Sequence, residues 1–190
     1  MLDIRRSSSN HIEVSTHIKS REMGFEMKAR IVLWVAVAAT IVNGLLAGGN
    51  VDRAIVARPA WSQIGLAAWA DYSRHADLGN GQWFYPMMAL GGTLLSLLAA
   101  VLFLSNSRMP RRASWPMLSA AAFMIVCLPI SFRAAPFIQS LRHLGNQDVA
   151  LLSRAFIGSF FWGRFQMALH VAGFFANIWS IAAFCMYRND

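Results

Sequence analysis

Four long apolar runs alternate with polar segments along the chain. The first is Ile31 to Gly49, "IVLWVAVAATIVNGLLAGG". The second covers residues 84–104, "FYPMMALGGTLLSLLAAVLFL", and the third residues 114–132, "SWPMLSAAAFMIVCLPISF". The fourth covers residues 165–187, "FQMALHVAGFFANIWSIAAFCMY". Each is close to the ~20 residues that a helix needs to cross a ~30 Å hydrocarbon core. The pattern therefore predicts an all-α fold, an integral membrane four-helix bundle. Pro86 and Pro116 fall near helix starts, where a missing N–H costs nothing. Pro129 falls near a helix end and is expected to kink it.

Residues 1–27 are polar and lack periodicity, so they read as a disordered tail. Residues 28–190 then form the four-helix membrane domain. Met23 and Met27 stand just before the first apolar run as alternative starts. That run is too long for the apolar region of a signal peptide, and no small-residue cleavage site closes it.

Basic residues suggest the orientation. Arg5, Arg6, Lys19, Arg21, Lys28 and Arg30 precede the first run. Arg108, Arg111 and Arg112 join the second and third, and Arg188 follows the fourth. By the positive-inside rule these lie on the cytoplasmic side of the cell membrane, together with both termini. The two long connections, residues 50–83 and 133–164, are then outside. Both carry helical spacing: Trp61, Ile64, Ala68 and Tyr72 fall on one face after Pro59. Short amphipathic helices are expected in each. Trp69, Tyr72, Trp83, Tyr85 and Trp162 suit an aromatic belt at the outer interface. "WFYPMMAL" at Trp83 matches "WGRFQMAL" at Trp162, with Ser-Arg pairs at 73–74 and 153–154, which suggests a duplicated hairpin.

Composition strengthens the membrane reading. Of 190 residues 56% are hydrophobic and 14% charged, against roughly 45–50% and about 25% in average soluble domains. The net charge of +8 raises the question of nucleic acid. No nucleic-acid motif or basic, aromatic-laced polar domain accompanies it, so nucleic acid is not expected as a partner. The expected partners are the lipid bilayer and a hydrophobic small molecule, with the oligomeric state open. Cys127 and Cys185 lie inside apolar runs without a C-x-x-C, so both read as small buried hydrophobes rather than redox groups.

Two constellations could carry chemistry. Gln166, His170, Gly173 and Asn177 share one helix face, as do Asn43 and Asn50. Such groups can simply bond helix to helix. An ionisable residue inside a membrane is also a functional candidate, which singles out His170. The second cluster follows the first run: Asn50, Asp52, Arg53, Arg58, Asp71, Arg74, His75 and Asp77, with Arg133 and Arg164 at matching ends of later helices. It is either a solvated rim or the lip of a cavity. As a cavity it would offer His75 or His170 as a base and arginines to hold an anion. No metal-ligand spacing, phosphate loop or nucleophile elbow occurs, so no metal or cofactor is expected.

"GLLAGGNVDRAIVARPAW", "AWADYSRHADLGNGQWFYPMMALGGTLLSLLAAVLFL" and the last span "WGRFQMALHVAGFFANIWSIAAF" resemble the anthrone oxygenase-like (DUF1772) family of small four-helix membrane proteins. The resemblance covers roughly residues 30–187. It implies a cofactor-independent oxidoreductase that deprotonates a hydrophobic aromatic or polyketide-like substrate and lets the carbanion or phenolate react with O₂. On that reading His75 or His170 is the base, and Arg53 and Arg58 stabilise the anion. Asn50, Trp61, Trp69, Tyr72, Arg164 and Asn177 would contact substrate. The competing reading is a non-catalytic membrane protein, an accessory subunit or small-ligand binder.

Overall fold

The computed structural model describes residues 3–105 and 114–187, with side chains described for residues 23–105 and 114–186. The chain is helical almost throughout: α1 (Asp3–Asp52), a π-helical turn (Arg53–Ala57), α2 (Arg58–Ile64), α3 (Leu66–His75), a second π-helical turn (Ala76–Asn80), α4 (Gly81–Leu104), α5 (Ser114–Gln139), a 3-10 turn (Ser140–Arg142) and α6 (Val149–Tyr187). No strand occurs among the described residues. Four helical stretches are long and apolar enough to cross a membrane. This is the build of a multi-pass membrane protein. The arginines at 108, 111, 112 and 188, read as topology signals, lie outside the described residues.

The helices are longer than the apolar runs. α1 begins at Asp3, so residues 3–27 continue the first span as helix where a disordered tail was expected. No proline interrupts this stretch, and a helix already nucleated extends at one hydrogen bond per residue. α5 runs through Pro129 and Pro136 to Gln139, so Pro129 does not end it. Spanning helices tolerate proline because neighbouring groups re-satisfy the freed carbonyls. α6 has 39 residues, about 58 Å at ~1.5 Å per residue, well beyond a ~30 Å core.

These extensions change the second connection. The first holds α2 and α3, joined at Gly65, whose φ of +97° only glycine adopts easily. The second is mostly the projecting ends of α5 and α6, closed by the 3-10 turn and a short loop. The two hairpins therefore carry different caps.

Packing falls into layers. At the end nearest the termini, Ala29, Val32, Ala99, Phe103, Met117 and Phe184 form an apolar core drawn from all four spans. At the opposite, cap end, Trp61, Trp69, Ala70, Leu141, Leu152 and Ala155 form a second core. A polar layer lies between. Asn43 on α1 donates to Ser96 Oγ on α4 at 3.0 Å, both buried. Gly92 lets α4 approach here, since a Cβ at that position would lie 2.3 Å from Asn43 Oδ1. α5 and α6 meet as closely at Gly158, where a Cβ would lie 2.3 Å from the Phe137 ring.

Candidate ligand cavity

A cavity of about 470 Å³ lies between the polar layer and the cap core. Pockets that enclose small molecules span roughly 300–1,000 Å³. Its walls come from the cap-side halves of all four spans and from α2, α3 and the turn before α4. The walls differ in chemistry. α1, the turn after it and α6 contribute Asn50, Arg53, Arg164, Gln166 and His170. α4 and α5 contribute mainly Phe84, Met88, Leu90, Leu128, Phe132 and Ile138.

Arginines dominate the charge. Arg53 pairs with Asp77, and its Nη2 donates to Tyr85 Oη at 3.2 Å. Its guanidinium also lies 4.7 Å from the Tyr85 ring centroid. Arg58 stacks over Phe160 at 5.0 Å. Arg142, just past α5, donates to Gln82 at the start of α4. Arg164 is exposed at the rim. Asp77 is the one carboxylate in the lining, against four arginines. Among the described residues Arg58, Arg142 and Arg164 have no carboxylate within ion-pair reach. The cavity therefore carries a net positive charge inside a largely apolar wall.

His170 closes the floor and is 3% exposed. Asn50 Nδ2 donates to the Leu46 carbonyl at 2.8 Å, which fixes the orientation of the amide. The same nitrogen lies 3.1 Å from His170 Nδ1. An amide nitrogen can only donate, so Nδ1 accepts. A neutral ring then carries its proton on Nε2, which lies 3.4 Å from Cys127 Sγ. Both ring nitrogens are thus engaged. Beside them Gln166 Nε2 donates to Ser131 Oγ at 2.7 Å, linking α6 to α5.

The structure gathers Asn50, Arg53, Arg58, Trp61, Trp69, Arg164 and His170 around this cavity. It leaves three sequence candidates outside the lining. His75 is exposed, and its Nδ1 contacts the Asp71 carbonyl at 2.8 Å, one helical turn back on α3. Tyr72 is exposed and packs its ring 5.2 Å from Trp61, behind the wall. Asn177 is buried deeper in α6, at 2% exposure, below His170. The reason is helical phase: His75 lies two residues from both Ser73 and Asp77, which turn inward, so it faces out.

Other groups were missed. Arg142 falls in the second connection, where the sequence predicts a short amphipathic helix, but it is not among the site candidates because the third apolar run ends at Phe132. The signal was present in the spacing of Leu128, Phe132, Ala135, Gln139 and Arg142, one continuing helix face. Cys127 is buried as expected, but against His170 rather than in an apolar niche. Cys185, also expected to be buried, is exposed. It lies on the outward face of the last turns of α6. Among the described residues no cluster of His, Cys, Asp and Glu could hold a metal ion.

No family model, curated protein or solved structure matches the chain. The geometry itself defines a four-helix membrane bundle with an arginine-rimmed, apolar-walled cavity at its cap end.

Proposed function

We propose that the protein binds a hydrophobic small molecule bearing an acidic group, a carboxylate or phenolate, in the cap-end cavity. The positive-inside rule puts the termini in the cytoplasm and this cavity at the outer face of the cell membrane. The observation that supports the reading is the charge imbalance: four arginines and one carboxylate line a mostly apolar cavity. Arg58, Arg142 and Arg164 supply the positive charge not already matched by Asp77, and of these Arg142 already donates to Gln82. In an apolar surrounding such charge-assisted bonds are the strong ones.

The test is calorimetric titration of purified protein with naphthoic acid and its uncharged amide. The acid should bind tightly and the amide weakly. Arg58→Gln with Arg164→Gln should weaken acid binding roughly tenfold or more, the usual worth of a hydrogen bond to a charged group. Equal binding of acid and amide would defeat the proposal.

A second reading, the cofactor-independent oxygenase implied by the family resemblance, is favoured by one observation: His170 shares the cavity with the arginines. In such a reaction His170 Nδ1 takes a proton from the substrate in place of the bond to Asn50. The arginines hold the resulting oxyanion. The carbanion then reacts with O₂: a methylene loses two hydrogens and gains one oxygen atom, and the second oxygen leaves as water. Oxygen uptake with a panel of anthrones, absent in His170→Gln, would support this reading. Uptake by neither protein would leave the binding role alone.

A further inference from the structure

We infer that the ligand reaches the cavity sideways from the outer leaflet, through a mouth between the cap-side halves of α4 and α5, and that it is an amphiphile with an acidic head. The inference rests on the binding role proposed above and names the class of molecule bound.

Three independent observations carry it. The first is packing. α4 has no buried residue between Gly81 and Gly92, and α5 has none after Cys127. The nearer-terminus halves of the same helices are buried against each other through Ala99, Ala100, Phe103, Met117 and Ala121. α6 by contrast packs its cap-side half through Leu152 and Ala155. The α4–α5 seam is therefore sealed at one end of the bundle and lacks a core at the other.

The second is the chemistry of the seam. Phe84, Leu90 and Phe132 line the cavity and are also 49%, 50% and 75% exposed. A residue that does both stands at a mouth. All three fall within the apolar runs, Leu90 well inside the second and Phe84 and Phe132 at the cap-side ends of the second and third. An apolar rim facing lipid costs nothing and gives an apolar ligand a continuous path.

The third is polarity across the cavity. Arg58, Arg164 and His170 lie on α2 and α6 rather than on the two helices of the mouth, while Arg53 reaches Tyr85 on α4 and Arg142 stands at the cap end of the seam. A molecule with its acidic head at Arg58 and Arg164 places its tail between Phe84, Leu90 and Phe132. There the tail can continue into the bilayer. The Arg142–Gln82 bond joins α5 to α4 at the top of the seam. It bridges the two walls at the cap end, above Phe84, Leu90 and Phe132. The cavity volume of about 470 Å³ is of the size that encloses one small molecule.

The test uses the full chain in lipid nanodiscs with a fatty acid carrying a terminal diazirine. Photolysis and peptide mass spectrometry should place label at Phe84, Leu90 and Phe132, several-fold above the lipid-facing Trp34 and Val101 far from the mouth. Excess oleate should remove the label, and Arg58→Gln with Arg164→Gln should reduce it roughly tenfold. Ala135→Trp, which fills the seam, should block labelling; should that variant misfold, Leu90→Trp serves the same purpose. Label spread evenly over lipid-facing residues, while naphthoic acid still binds from water, overturns the lateral route and leaves the cavity reading standing. Failure of both probes overturns both.

Discussion

Arg53 shows how much one side chain can settle. It stands where α1 gives way to a π-helical turn, and it reaches Asp77, whose side chain is only 7% exposed. Removing the arginine leaves that carboxylate buried without its partner. Arg53→Leu should therefore cost about 1–3 kcal/mol, below the usual range for a fully buried pair because Arg53 is itself 31% exposed. Arg53→Leu combined with Asp77→Asn should recover much of the loss. Thermal unfolding of the four proteins in detergent gives the coupling directly, and simple additivity would contradict it. His75 makes the opposite case. It is exposed and contacts only a carbonyl of its own helix, so His75→Ala should leave stability within ~0.5 kcal/mol and ligand binding unchanged. A large loss of binding would show that the cavity has been drawn in the wrong place. Gly92→Ala should destabilise by about 1–3 kcal/mol, because its Cβ would collide with Asn43 Oδ1. Unfolding of that variant at the wild-type midpoint would mean that α1 and α4 do not approach as described.

At the scale of elements, the four spans were legible because hydropathy over twenty residues is a strong signal. The stripe Gln166, His170, Gly173 and Asn177 was legible for the same reason: an amphipathic face inside an apolar helix has few places to go. Gln166 and His170 reach α5 and α1, and Asn177 is buried, as a bundle-facing stripe requires. Helix ends were not legible. The apolar run of α5 stops near Phe132, whereas the helix continues to Gln139 over Pro136. Polarity reports where a membrane stops, not where a helix does. The cap itself is held by contacts too remote in sequence to read. Arg74 on α3 donates to the carbonyls of Leu141 and Leu144, at 3.1 and 2.6 Å, and to Asp71 and Asn146. One guanidinium thereby ties the first connection to the second. Arg74→Met should raise amide hydrogen exchange across residues 141–148 while leaving the spans protected. Unchanged exchange in that loop would show that Arg74 is dispensable to the cap.

At the scale of the molecule, the bundle is built as two apolar ends with a polar waist. The end near the termini packs densely through alanines, and the cap packs through Trp61, Trp69 and their neighbours. Between them the helices diverge enough to leave the cavity, and the polar groups of the waist form its floor. Composition and periodicity announced a membrane bundle with polar groups at one end. They did not reveal whether those groups formed a rim or a pocket, because that depends on helix phase and on which arginines find carboxylates. The structure divides them: Arg74 ties the cap together, Arg53 pairs with Asp77, and Arg58, Arg142 and Arg164 line the cavity with no carboxylate partner among the described residues.

The most direct measurement is the unfolding midpoint of the wild-type protein in detergent, with an aromatic carboxylic acid or its uncharged amide added. An acid that fills the cavity at a hundred times its dissociation constant should stabilise the fold by about 2.7 kcal/mol. The amide, which offers the arginines no charge, should shift the midpoint far less. An equal or larger shift from the amide, or none from either, would contradict a cavity built for an apolar anion.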